Sequence, residues 1–259
     1  GFSPSAWVAP AVAQVVGGGT PLINETFTDT SVPDPDFTVH RSTCLTGASG
    51  TPPDGQAQIP DCAFPDGPHG PVPPIGVAPG YLQLTDARGS RAGDILYNRP
   101  IPATAGLIAT FDQWQYGGST AGDGMAFFLI DGATQLTQIG GGGGSLGYAQ
   151  RLVLGEPGIL GGVLGLGLDA FGNYYNDDEG RGTGCPLALK PPFLLAVAPD
   201  VVTLRGPGDL DVGYCYLGST TVPGTVPPQS SLPRSLRAER LELAERRVRI
   251  TVQPTTGSV

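Results

Sequence analysis

The chain has 259 residues, enough for one β-sandwich domain, and a formal charge of −9, which argues against nucleic acid or an anionic membrane as partner. Gly 41 and Pro 27 approach a low-complexity composition, yet a hydrophobic share of 39% in strand-like runs argues against disorder throughout. No run of about 18 apolar residues occurs, so no membrane insertion is expected.

Residues 5–14 carry Ala11-Val12-Ala13 before Gln14, like the end of an export signal and its small-residue cleavage site. Residues 1–19 are therefore expected to be a signal-peptide remnant or flexible tail, and the protein to be secreted or displayed at the cell surface. The remainder, 20–259, reads as one all-β domain. INETFTD (23–29) and DFTVH (36–40) read as the first strands, followed by a Pro/Gly/Cys-rich insertion over 43–78. Strands are expected over 80–86, 94–100 and 106–118. In the last, alternation sets Leu107, Ala109, Phe111 and Gln113 on one face and Ile108, Thr110 and Trp114 on the other. AFFLI (126–130) is apolar throughout, as for a strand between two sheets. A strand over 201–206 follows. Residues 235–248 have a helix-forming composition, but a strand with a polar lead-in is preferred, running into RRVRITVQP (246–254). Trp114, Tyr116, Phe127 and Phe128 read as core and sheet-face residues.

Four cysteines allow three full pairings; the spacing favours Cys44–Cys62 and Cys185–Cys215, each clamping a Pro/Gly-rich excursion. No C-x-x-C occurs, and His40 and His69 read as loop residues rather than a metal pair.

The segment GLGLDAFGNYYNDDEG (165–180) carries the most chemistry. A strand ends in Asp169; the Phe171 carbonyl, the Asn173 amide and then Asp177 or Asp178 follow. Oxygen donors at this spacing suit Ca²⁺, which takes six to eight oxygens in a flexible shell. A polar strand-end turn is the competing reading, because Asp, Asn and Gly all tolerate turns.

Three motifs in order, GDGMAFFLIDG (122–132), GGGGSLGYA (141–149) and LDAFGN (168–173), resemble the L-type (legume-like) lectin family, over about 27–252. The resemblance implies a concanavalin A-like antiparallel β-sandwich, or jelly roll. It makes Asp123 the carboxylate that accepts from two sugar hydroxyls, after a cis Gly122–Asp123 peptide. Gly144 would donate its N–H, Asn173 would serve both calcium and sugar, and the Phe171 ring would meet the apolar sugar face. Calcium would be held by Asp169, the Phe171 carbonyl, Asn173 and Asp177, with Asp178 the alternative last ligand. Metal lost through Asp169 is expected to cost both binding and stability. The family's transition-metal site needs a glutamate where this chain has Gly167, and a downstream histidine that is lacking, so no such site is expected. The family's closing strands and their specificity loop have no counterpart after 252, so the chain is expected to be truncated or to depart from the family there.

The implied partner is a glycan or polysaccharide, and the implied activity is binding. Single lectin sites bind about millimolar, so avidity would call for an oligomer or a larger adhesin. A jelly-roll glycosidase would need paired carboxylates on one strand, and Glu239, Glu242 and Glu245 read instead as a solvated face. A structural adhesin module with the fold but no sugar affinity is the other alternative.

Overall fold

The structure is a computed structural model that describes residues 11–14, 21–63, 65, 67, 69–117 and 122–254. Its strands, in chain order, are β1 (Ala11–Gln14), β2 (Ile23–Glu25), β3 (Phe37–Arg41), β4 (Cys44–Leu45), β5 (Leu82–Gln83), β6 (Gly93–Tyr97), β7 (Leu107–Tyr116) and β8 (Gly124–Ile130). Then come β9 (Gly162–Asp169), β10 (Val201–Arg205), β11 (Gly208–Asp209), β12 (Val212–Gly213), β13 (Tyr216–Ser219), β14 (Arg237–Ala238), the single turn α1 (Leu241–Ala244) and β15 (Glu245–Val252). The chain is an all-β protein of predominantly antiparallel sheets.

The first sheet is built on β7. β15 runs antiparallel along it from Glu245↔Trp114 to Val252↔Leu107. On the other side lies β1, itself paired with β2, and the short parallel β14 pairs with the end of β7 across from β1. Ala11–Gln14 is thus a sheet strand, which corrects the flexible-tail expectation at those residues; their neighbours 1–10 and 15–19 lie outside the described residues. In β15, Val248, Ile250 and Val252 alternate with Arg247, Arg249 and Thr251, so the apolar set turns inward and the exposed edge carries charge. Arg247 holds Asp112 with two bonds, at 2.8 and 2.7 Å. The lead-in contains both elements weighed for it, a helical turn over 241–244 and then the strand.

In the second sheet β9 lies between β8 and β10, with β13 beyond β10 and the small β11–β12 pair at one end. The two sheets meet through the odd-numbered face of β7. Phe111 stacks on Phe127 of β8 at 5.8 Å, and Gln115 Nε2 donates to the Leu168 carbonyl of β9 at 3.1 Å. Trp114 points to the opposite face, against Tyr81, as the alternation predicts.

The other face of the second sheet is covered as well. Phe128 and Ile130 pack with Tyr148, Ile159, Tyr174 and Tyr214, all three tyrosines being sealed from solvent. Glycines in β9 make room for this layer. A Cβ on Gly165 would lie 2.2 Å from the Tyr148 ring, and one on Gly167 would lie 2.2 Å from the Tyr174 ring. Gly165 and Gly167, two residues apart on this face of β9, must therefore be glycine before the strand reaches Asp169.

Two-stranded pairs β3–β6 and β4–β5 hold the region before β7. The Pro/Gly-rich insertion is folded here: Leu45, Ala48, Ala57 and Ile59 are buried with Val32 and Phe37 in one cluster. Cys44–Cys62 and Cys185–Cys215 are both formed, the pairings the spacing favours. His40 lies in β3 rather than a loop, its Nδ1 2.7 Å from the Asp94 carboxylate on β6. No helix among the described residues is long and apolar enough to cross a membrane.

Candidate functional site

Three segments meet at the end of the second sheet where β8 begins and β9 ends, since Gly124 pairs with Asp169. The Phe171 N–H donates to the Asp123 carbonyl at 3.1 Å, which ties the loop after β9 to the entry of β8. The glycine-rich segment closes over them. It is folded rather than a free linker: Gly143–Ser145 form a 3-10 turn, and Gly140 and Gly147 are held by backbone bonds to Gly147 and Gly141. A Cβ on Gly144 would sit 2.3 Å from Asn173 Cγ. Only glycine lets this backbone lie against the amide.

The structure brings Asp123, Gly144, Phe171 and Asn173 together, and it leaves some of their polar groups without a partner among the described residues. Among the described residues the Gly144 N–H has no hydrogen-bond partner, and the Asp123 carboxylate has only a bond from its own backbone. Asn173 Oδ1 is buried and also without one. Burial raises the Asp123 carboxyl above its ordinary value; Arg151 opposes that shift and Glu179 adds to it. Phe171 is 43% exposed, an aromatic ring left at the rim of a buried site. The cis bonds among the described residues are Ala78–Pro79 and Val226–Pro227, so the expectation of a cis Gly122–Asp123 bond is corrected.

Asp169 is fully buried and shapes the loop by accepting from the Gly172 and Tyr174 amides, each at 2.6 Å. Burial lifts its carboxyl from 3.8 to about 7, against the pull of those amides. Among the described residues no lysine or arginine is hydrogen-bonded to it. A buried carboxylate without a cation and the donorless Asn173 Oδ1 have the donor chemistry that suits calcium. Asp177 does not share it. Its two oxygens accept from Arg205 at 3.1 Å and Lys190 at 3.0 Å, whereas Asp178 is exposed and bonded only to the Glu179 amide. At position 167, the Tyr174 ring occupies the space that a glutamate would need.

Sequence reading missed the polar frame behind these loops. Arg205, from β10, is wholly buried and donates to the carbonyls of Tyr174, Tyr175, Asn176 and Tyr214 as well as to Asp177. Its guanidinium carbon also stands 5.4 Å from the centre of the Tyr174 ring. Arg181, 1% exposed, donates to the Asn176 carbonyl and Oδ1, to Glu179 and to Ser145 Oγ. Burial works against the Glu179 carboxylate, but its bonds from Arg181 and Arg151 outweigh that and leave its pKa below the ordinary value. One signal in the sequence marks Arg205. In VVTLRG it shares a strand face with Val201 and Thr203, both fully buried, so an arginine at that phase must be buried and paired.

No family model matches the chain, and no curated protein matches it.

Proposed function

We propose that this chain is a calcium-dependent carbohydrate-binding domain of a secreted or cell-surface protein, with its site at Asp123, Gly144, Phe171 and Asn173. The observation that carries this reading is the convergence on one rim of the Gly144 N–H and Asn173 Oδ1, which have no partner among the described residues, with the Asp123 carboxylate, which is bonded only from its own backbone. Unsatisfied buried polar groups cost about 1–3 kcal/mol each, so a native fold retains them where a ligand or ion completes them.

A saturated sugar supplies what they lack. Two adjacent hydroxyls donate to the Asp123 carboxylate, and one oxygen accepts from the Gly144 N–H and the Asn173 Nδ2. The C–H face of the ring lies on Phe171, whose exposure leaves it open to stacking. Asp169, the Phe171 carbonyl, Asn173 Oδ1 and Asp178 would hold calcium, which when bound supplies a fixed positive charge that orients the Asn173 amide and offsets the buried Asp169 charge. This is a binding site and not an enzyme in our reading, because among the described residues no pair of carboxylates on one strand, as a jelly-roll glycosidase needs, lines the rim. The two disulfides suit an oxidising, extracellular setting.

A glycan array probed in calcium and again after chelation tests the proposal. Binding that disappears with the chelator, and in Asp123→Ala, supports it. A folded protein that binds no glycan in either condition rejects it in favour of a structural adhesin module.

A further inference from the structure

The loops that form the rim need an internal fastening, and the structure supplies one that involves no metal. Leu146 and Tyr174 anchor the two loops in the apolar layer beneath, but Gly143–Ser145 has no long side chain and Asn173, Asn176 and Asp177 are polar, so the rim itself is joined by polar bonds. Arg181 reaches across it. Its Nη1 is 3.2 Å from Ser145 Oγ, in the residue after Gly144, while its Nε and Nη2 hold the Asn176 carbonyl and Oδ1 at 3.0 and 2.8 Å. Ser145 Oγ in turn donates to the Gln150 carbonyl at 2.8 Å, so the hydroxyl is used as both acceptor and donor. Glu179 fixes the guanidinium from the outside through Nη1 at 2.8 Å and is itself held by Arg151 Nε at 2.9 Å. Arg205 secures the same loop from beneath through the carbonyls of residues 174–176. A planar fork with five donors can serve these acceptors at once, which a lysine cannot.

We propose that Arg181 is the positioning residue of the candidate carbohydrate site, locking the Gly144 turn against the Asn173 loop so that the rim is formed before any ion or ligand arrives. This rests on the carbohydrate reading for the use of the rim, but the lock itself does not. Calcium is then left with the Asn173 side chain and the Asp169 charge, and the backbone of both loops stays ordered without it. Preformed loops lower the ordering cost of binding a small ligand.

Amide hydrogen exchange on the whole chain reads the lock without any glycan. Chelation should change wild-type protection over 142–147 and 172–178 by no more than about twofold, whereas Arg181→Lys should lower it over 142–147 by about tenfold and leave β8 and β9 unchanged. Ser145→Ala, which removes only the bridging hydroxyl, should lower protection over 142–147 by about three- to fivefold. Wild-type protection in both variants overturns the proposal, as does chelation that exposes both loops as fully as Arg181→Lys. If Arg181→Lys loosens β8 and β9 too, Ser145→Ala decides: no change over 142–147 in that variant overturns the lock. Retention on mannan-, galactan- and glucan-coated beads separates the two readings. Loss of retention in Arg181→Lys and in Asp123→Ala, with exchange altered only in the former, supports both. A wild type that is retained by none of the beads but follows the exchange pattern rejects the carbohydrate reading and keeps the lock.

Discussion

The region before β7 and the region around the end of β9 solve the same problem in different ways. Both are loop-rich, and each is closed by one disulfide, Cys44–Cys62 in the first and Cys185–Cys215 in the second. The first then packs Val32, Phe37, Leu45, Ala57 and Ile59 into an apolar cluster. The second buries Arg181, Arg205 and Asp169 and spends them on backbone carbonyls and amides. Apolar contact is non-directional and sets compactness. Charge-assisted bonds set where each peptide group points. The region that, in the proposed site, would present a carboxylate, an N–H and an amide at fixed angles is the one held by guanidinium groups.

The contrast breaks most sharply at Arg205. Arg205→Met should cost about 3–5 kcal/mol in urea unfolding, because it leaves the loop carbonyls of residues 174–176 without their buried donor and Asp177 with Lys190 alone. In the apolar region, Leu45→Ala should cost about 3 kcal/mol by leaving a cavity, and it should leave exchange over 172–178 at the wild-type level. An equal loss of protection there would show that the two regions are one cooperative unit.

Gly144→Ala should cost about 1–3 kcal/mol, since the added methyl must displace the Asn173 amide, and glycan retention should be lost with it. Acidity sharpens the comparison further, because the titrating group belongs to the site region alone. Asp169 titrates near 7 when folded against 3.8 when unfolded, so between those values the folded state binds a proton that the unfolded state has released. Stability in chelator should therefore be greatest at the acid end of that window and fall as pH rises to about 7. Thermal melts at about pH 5 and about pH 8 check this, and Asp169→Asn should flatten the difference. Glu179 has the opposite sign, but its lowered pKa acts only at and below the ordinary 4.5, where stability is lost as pH falls. Smallest of all in stability, Asp123→Ala should stay within about 0.5 kcal/mol of wild type, since no other residue is bonded to that carboxylate among the described residues. Glycan retention should nonetheless vanish. Comparable destabilisation in Asp123→Ala would mark it as part of the frame instead.

Much of the strand order was legible because it rests on a period of two. β7 alternates so regularly that Phe111 and Trp114 could be assigned to opposite faces, and Val248, Ile250 and Val252 to the interior, before any pairing was known. The cysteine spacing likewise pointed to the observed bridges, because short separations limit which loops can close. The motif residues Asp123, Gly144, Phe171 and Asn173 could be named, but that they meet depends on the Gly124↔Asp169 register and the close approach of Gly144 to Asn173. Tertiary structure also decided what the sequence left open. Asp177 and Asp178 are adjacent carboxylates with no local signal of their different surroundings, yet one accepts from Arg205 and Lys190 and the other faces solvent. Arg181 and Arg205 lie 24 positions apart and carry no local signal of sharing the Asn176 carbonyl. Local pattern fixes which way a side chain leaves its strand; which charges are buried, and what they must then hold, depends on long-range packing that removes water from them.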